Sequence, residues 1–272
     1  GRAVEPVDDL GRYYHVRCAP GDLAPTVLLP GDPGRVARIS RHWTEAREVA
    51  SIRHYTVHTG RLGEVPVSAV STGTGNPSMA IVVEEVARLG ARTLIRVGTC
   101  GAVAPGVALG DVVITTGALR LDGTSRAYVD PGYPALASYE VVLALIEAAA
   151  SLHVPYHVGI TASTDAWYVG QGRPGFGGYL PAAARGLLDD LRASRVLNVE
   201  MDSSALLVLA GLYGLRAGAV CAVYAQRIED RFAMVGEDRA IAVANRAVEI
   251  LHRMDREKAR AGASHWHPGL RA

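Results

Sequence analysis

Cysteine is scarce in this chain of 272 residues, and Cys18, Cys100 and Cys221 lie far apart. That spacing offers neither a zinc-ligand pair nor a disulfide framework, and it suits a reducing cytoplasm. No apolar run reaches the length of a membrane span, and the N-terminus does not read as a signal peptide, so a soluble chain is expected. Neither sign of charge is in excess. The formal net charge of +1 gives no reason to expect a nucleic-acid or membrane surface. A Gly-x-x-x-x-Gly-Lys run is missing, which argues against an ATP-type phosphate loop. No internal repeat and no linker is visible. What is abundant is apolar: 49% of residues are hydrophobic and 20% charged, enough to bury a sizeable core. Length alone leaves one or two domains open. Without a linker, one domain is expected over 1–254, with an irregular segment 1–25 and a loose polar tail 255–272. His265-Trp266-His267 in that tail reads more readily as solvated than as metal-binding.

Short apolar runs alternate with helical patterns. Strands are expected at 26–29, 67–70, 93–97, 112–116, 157–162, 196–199 and 217–224, and helices at 36–42, 79–89, 139–151, 205–210 and 238–254. Gly-rich or polar turns follow several strands, at 31–35, 71–78, 96–101, 163–173 and 198–203. The pattern predicts an α/β fold: a single-domain three-layer sandwich, its mixed central sheet flanked by helices on both faces. Ligands in such folds sit beyond the carboxyl ends of the strands, where these turns lie.

Asn198-Val199-Glu200-Met201-Asp202-Ser203 places two carboxylates two residues apart, just before an apolar helix. Asp202 or Ser203 reads as a helix cap. Glu200 precedes the cap inside an apolar run and needs another partner, such as the hydroxyls of a ribose. Gly31 to Arg35 leads a helix, so free N–H groups and a guanidinium face one space, as an anion requires. Arg96 ends a strand just before Gly98-Thr99, and Gly73-Thr74-Gly75 permits close backbone approach. Each signal alone also fits an ordinary turn or a structural ion pair; together they suggest an oxyanion pocket. In Trp167 to Arg173, an aromatic precedes Gln171 and Arg173. An amide donates and accepts while a guanidinium only donates, which suits an imide-like ring edge, although an ordinary surface loop fits as well.

Taken together, these residues resemble the nucleoside phosphorylase I family over about residues 22–254, and within it most closely the members that act on uridine. The resemblance is carried by Gly31-Asp32-Pro33-x-Arg35, Ser71-Thr72-Gly73-x-Gly75-x-Pro77-Ser78, Arg96-x-Gly98-Thr99-x-Gly101, Arg120-Leu121-Asp122-Gly123, Thr161-Ala162-Ser163-x-Asp165, Gly170-Gln171-x-Arg173 and Asn198-x-Glu200-Met201. It implies a partly barrel-like sheet. It implies that Gly31, Arg35, Arg96 and Thr99 bind phosphate, joined by Arg53 of a neighbouring subunit. Trp167, Gln171 and Arg173 would hold the base, with Arg227 on a flap over it. Glu200, Met201 and Asp202 would hold the ribose, and His15 of the neighbour its 5′-hydroxyl. The implied catalytic set is Arg96, Arg173, Gln171 and Glu200, with inorganic phosphate as co-substrate and no cofactor or metal.

The activity so implied is phosphorolysis of uridine, or of a sugar-modified uridine, to uracil and a pentose 1-phosphate by a homo-oligomer, at least dimeric and hexameric by resemblance. The partners are then a nucleoside and phosphate, with no nucleic acid and no membrane. A purine nucleoside or methylthioadenosine phosphorylase is one alternative, weakened because Gln226 and Arg227 stand where purine-specific members have an acid. A nucleoside-binding homologue without catalysis is the other. Four departures bear on the site. Asp202 replaces the family's usual Glu, the segment between His15 and Gly31 is shortened, the loop from Pro174 to Pro181 is glycine-rich, and His54 stands where a Glu usually helps to hold a monovalent cation.

Overall fold

The computed structural model describes residues 2–271. The first half of the chain runs β1 (Thr26–Pro30), α1 (Pro33–Ser40), β2 (Thr44–Ile52), β3 (Tyr55–Leu62), β4 (Val65–Val70), α2 (Asn76–Arg88), β5 (Thr93–Ala102), β6 (Val112–Leu121), β7 (Ala135–Leu136) and α3 (Tyr139–Ser151). The second half runs β8 (Tyr156–Thr164), α4 (Ala182–Arg185), α5 (Leu187–Ala193), β9 (Val196–Glu200), α6 (Ser203–Leu212), β10 (Arg216–Gln226), β11 (Arg231–Phe232) and α7 (Glu237–Ala261). All strands join one mixed sheet. Because β10 pairs with both β5 and β6, strands β5, β9, β8, β6 and β10 close into a ring, the barrel-like part of the sheet. Strands β1, β4, β3 and β2 extend it from β5.

Two helical layers cover the sheet, and the two-residue period of the strands sorts side chains between them. Leu28 and Ile95 pack with Val36 and Ile39 of α1, Leu145 of α3 and Ile241 of α7. Val27, Leu29 and Leu94 point the other way, onto Met79 and Val83 of α2 and Leu206 of α6. This is the expected α/β sandwich. Among the described residues no helix is long and apolar enough to cross a membrane.

The differences from expectation have local causes. The hairpin β2–β3 was not visible in the sequence because β2, Thr-Glu-Ala-Arg-Glu-Val-Ala-Ser-Ile, is an exposed edge strand without an apolar pattern. Strand β5 does not stop at Val97. It runs through Gly98 and Gly101 to Ala102, because β10 on one side and β9 on the other continue to pair with it. Helix α7 passes Met254 and ends at Ala261. The segment beyond it is packed rather than loose: Trp266 is buried, its Nε1 donates to Glu257 at 2.6 Å and its backbone N–H donates to Glu140 at 3.1 Å. Glu140 also accepts from Lys258 and Arg216, so a buried carboxylate on α3 anchors both α7 and the segment after it.

Candidate active site

Six chain segments meet around one cavity of about 700 Å³, one of them the turn between β2 and β3 that carries His54. Gly31 and Arg35 reach it from the turn into α1, and Gly73 and Thr74 from the turn after β4. Arg96 and Thr99 lie on β5, Trp167 follows β8, and Glu200, Met201 and Asp202 close β9. The sheet therefore brings together Gly31, Arg35, Arg96, Thr99, Glu200, Met201 and Asp202, which the sequence scatters over some two-thirds of the chain, but not Arg53 or His15.

The wall of this cavity is built on the first turn of α6. A helix start leaves N–H groups without partners. Here they are met from outside the helix. Ser203 N–H donates to both oxygens of Glu200 at 3.1 Å, Ser204 N–H to Ser163 Oγ at 3.1 Å, and Ala205 N–H to Asn76 Oδ1 at 2.9 Å. Asp202 N–H also donates to Glu200, at 3.0 Å. The expected capping by Asp202 or Ser203 is thus corrected. The Asp202 side chain makes no cap bond, and Ser203 Oγ is buried without a partner. Glu200 folds back over the helix end, where the macrodipole favours an anion.

Asp202 is turned instead toward the turn after β4 and toward β5. Its Oδ1 accepts from Gly75 N–H at 2.8 Å, and its Oδ2 lies 2.7 Å from Arg96 Nη2. Arg96 Nε lies 2.8 Å from Glu200 Oε2, but its N–H is not aimed at that oxygen, so the contact is an ion pair and not a hydrogen bond. Burial works against the charge of Arg96, yet the facing Asp202, Cys221 and Glu200 hold its pKa above the usual guanidinium value. For Asp202 the balance falls the other way: burial first, and then the like charge of Glu200, raise its pKa despite Arg96. Gly98 makes this arrangement possible, since a Cβ there would stand 2.6 Å from Arg96 Cζ. Arg35, also buried, donates from Nε to Glu237 at 2.7 Å and from Nη1 to the Val97 carbonyl at 3.1 Å.

The base candidates form a second cluster, of which Trp167 alone lines the cavity. The Arg173 guanidinium lies 4.0 Å from the Trp167 ring centre and donates to the Gln171 side-chain oxygen at 2.6 Å. Gln171 is buried and donates to Thr164 Oγ1 at 3.2 Å, while Arg227 donates to the Gln171 carbonyl at 3.0 Å. Burial and the neighbouring Arg227 push Arg173 down to about 10, still charged at neutral pH.

His15 and Arg53 lie outside the cavity. They share a surface patch in which Arg53 donates to Tyr14 Oη at 2.6 Å and the His15 ring packs edge-on against Tyr14 and Tyr55. His15 Nδ1 is 2.6 Å from Glu85 Oε1. His54, next to Arg53, does line the cavity, with Nε2 3.1 Å from Ser78 Oγ. The Ser78 hydroxyl donates to the Thr72 carbonyl, so the ring nitrogen is the donor to Ser78. The ring presses on Gly73, where φ is +71° and a Cβ would stand 2.6 Å from His54 Cδ2. Sequence reasoning gave no role to His54, Ser78, Asn76 or Glu237; Ser78 and Asn76 lay within a motif that it did single out. No group of three His, Cys, Asp or Glu side chains among the described residues is arranged to hold a metal ion.

Comparison with known proteins places the chain among phosphorylases. A family model described as the phosphorylase superfamily matches residues 25–256. A uridine phosphorylase from Thermococcus kodakarensis is 56% identical over 269 residues, which is 99% of this chain and 97% of that protein. The uridine phosphorylase of Escherichia coli is 40% identical over 219 residues, 79% of this chain and 87% of that protein. A guanosine phosphorylase from Halorubrum lacusprofundi is 36% identical over 214 residues, 79% and 83% of the two chains.

Proposed function

The chain belongs to the phosphorylase superfamily, and from that premise we propose that it cleaves uridine with inorganic phosphate, releasing uracil and a pentose 1-phosphate. One observation carries the reading: Arg35, Arg96 and Thr99 share a cavity with Glu200, Met201 and Asp202. Anion donors and hydroxyl acceptors thereby flank one space of nucleoside size.

In this reading Gly31, Arg35, Arg96 and Thr99 hold phosphate, and Glu200, Met201 and Asp202 hold the ribose. Phosphate is already an anion and needs placement more than activation. The C1′–N1 bond of the nucleoside breaks toward an oxocarbenium-like sugar, a phosphate oxygen bonds to C1′, and the electron pair leaves with uracil. Arg96 touches both carboxylates and the anion space, so it ties the nucleophile to the sugar. Negative charge growing on the uracil carbonyls is met by donors from Gln171 and Arg173, stacked beside Trp167, with Arg227 above. No cofactor enters this chemistry. Gln226 is engaged with the backbone of Val107 and Ile228, which leaves no proton donor for a purine at that position and favours the pyrimidine.

Arg53 and His15 act, in this reading, in the site of a neighbouring copy. Their placement on one patch outside the cavity supports an oligomer, hexameric by resemblance. Three free buried cysteines fit a cytoplasmic setting. The pairing of both Asp202 oxygens supports a changed sugar preference. A panel of uridine, deoxyuridine, 5′-amino-5′-deoxyuridine and inosine, each with and without phosphate, tests the function. Uracil release that depends on phosphate is expected. Release at an unchanged rate without phosphate means a hydrolase, and faster turnover of inosine means a purine enzyme.

A further inference from the structure

Glu237 is a buried carboxylate beside the cavity that the chemistry above leaves without a task. It is the first residue of α7, where the helix end favours an anion. Three side chains from two elements converge on it. Tyr224 Oη on β10 donates to its Oε2 at 2.6 Å, Arg35 Nε on α1 donates to its Oε1 at 2.7 Å, and Arg38 Nη2 lies 2.7 Å from the same oxygen. Burial opposes its ionisation, but the bonds from Arg35 and Tyr224 outweigh this and hold its pKa below the usual carboxylate value.

Arg35 is thus gripped at two nitrogens, Nε by Glu237 and Nη1 by the Val97 carbonyl. A guanidinium is planar, so two restraints on different nitrogens fix its plane and direct the remaining N–H groups. Glu237 does not line the active cavity; it lines an adjoining one of about 540 Å³, into which Arg35 and Arg38 also reach. It takes the edge of Arg35 nearest the side-chain stem and leaves Nη2 unengaged. A carboxylate placed behind an arginine orients it, whereas one placed in the anion space would compete with the ligand.

We propose that Glu237 is a positioning residue for phosphate: it sets the guanidinium plane of Arg35 so that the free N–H groups face the incoming anion. The inference rests on the reading of Arg35 as a phosphate ligand. The test is steady-state phosphorolysis of uridine by Glu237→Ala, Glu237→Gln and Arg35→Ala in the full chain, with the KM for phosphate and for uridine measured separately. The upward shift of Tm caused by phosphate alone is followed beside it. Glu237→Ala is expected to raise the KM for phosphate about tenfold, with the KM for uridine within about twofold, because orientation is lost while the charge of Arg35 remains. Glu237→Gln keeps an acceptor for Arg35 Nε and is expected to recover most of the loss. Should the Ala variant fail to fold, the Gln variant and Tyr224→Phe carry the test, each expected at about threefold on the KM for phosphate. The proposal is overturned if phosphate binds as well or better, as a competitor would predict, or if both KM values rise together. If Arg35→Ala itself leaves the KM for phosphate unchanged, the phosphate assignment fails first.

Discussion

The two halves of the site are held in different ways. On the side proposed for phosphate and ribose, each charged group is fixed by an opposite charge or by backbone from another element: Arg96 by Glu200 and Asp202, Arg35 by Glu237, Glu200 by the start of α6. On the base side, Trp167, Gln171, Arg173 and Arg227 lean mainly on one another. They border a glycine-rich loop in which Phe176 and Tyr179 are exposed. The first half is built into the fold, so disturbing it threatens chemistry and stability together. The second half is a local cluster whose loss spares the core.

The comparison breaks most visibly at Arg96. Arg96→Ala is expected to lower kcat/KM for uridine about a thousandfold, as loss of a buried charge stabiliser does, and also to lower Tm, because two buried carboxylates lose their partner. Steady-state kinetics and thermal unfolding on the same sample check both, and intact turnover would refute the phosphate assignment. Glu200→Ala comes next. It strips the cap of α6 and leaves Arg96 half-paired, for an expected loss of about 3–5 kcal/mol in denaturant unfolding. Glu200→Gln keeps an acceptor and should recover part of that stability without recovering activity. Gln171→Ala probes the other half. A fall in kcat/KM of about a hundredfold is expected with a stability loss of only about 1–2 kcal/mol. A large drop in Tm for Gln171→Ala would erase the distinction between the halves.

Gly31, Arg96, Thr99, Glu200, Met201 and Asp202, which line one cavity, were legible because they lie in or just after buried apolar strands, and apolar runs are what a sequence displays best. Long-range partners were not legible. Nothing around Glu200 announces Ser163 and Asn76, yet these complete the cap of α6 with it. Gly98 read as part of a turn, whereas it is a strand position kept bare for the Arg96 guanidinium. The edge strand β2 carries charges where a buried strand would carry valines. Trp266 looked solvated because its acceptors, Glu140 and Glu257, lie in elements that only the folded chain brings to it.

Two buried carboxylates, Glu140 and Asp202, respond to pH in opposite directions. Glu140 is lowered: burial opposes its charge, and bonds from Lys258, Trp266 and Arg216 win. Its contribution to stability is present above the ordinary carboxylate value of 4.5 and is lost as pH falls through the lower folded value. Asp202 is raised, so its effect runs the other way: it favours folding below 3.8 and loses that contribution as pH climbs through the raised value. Asp202→Asn should therefore gain in Tm, relative to the parent chain, as pH is moved from about 4 to about 7, while uridine turnover falls. Differential scanning fluorimetry across that range checks the sign, and a constant or falling difference would show that Arg96 fully compensates the buried charge.

The smallest effect is expected at Ser203, and it separates the two explanations of the helix start. If the Ser203 hydroxyl capped α6, its removal would cost about 1 kcal/mol. In the structure Ser203 Oγ is buried and unpartnered, and its backbone N–H is served by Glu200. Deleting an unpaired buried hydroxyl removes a desolvation cost, and alanine is the better helix former. Ser203→Ala should thus leave stability unchanged or raise it by up to about 0.5 kcal/mol, with kcat/KM unaltered. Ser163→Ala is the counterpart from outside the helix. It takes the acceptor from Ser204 N–H and the partner from Asn76, and should lower stability by about 1–2 kcal/mol. Reversal of that order in urea unfolding would return the cap to Ser203 and leave Glu200 free for the sugar alone.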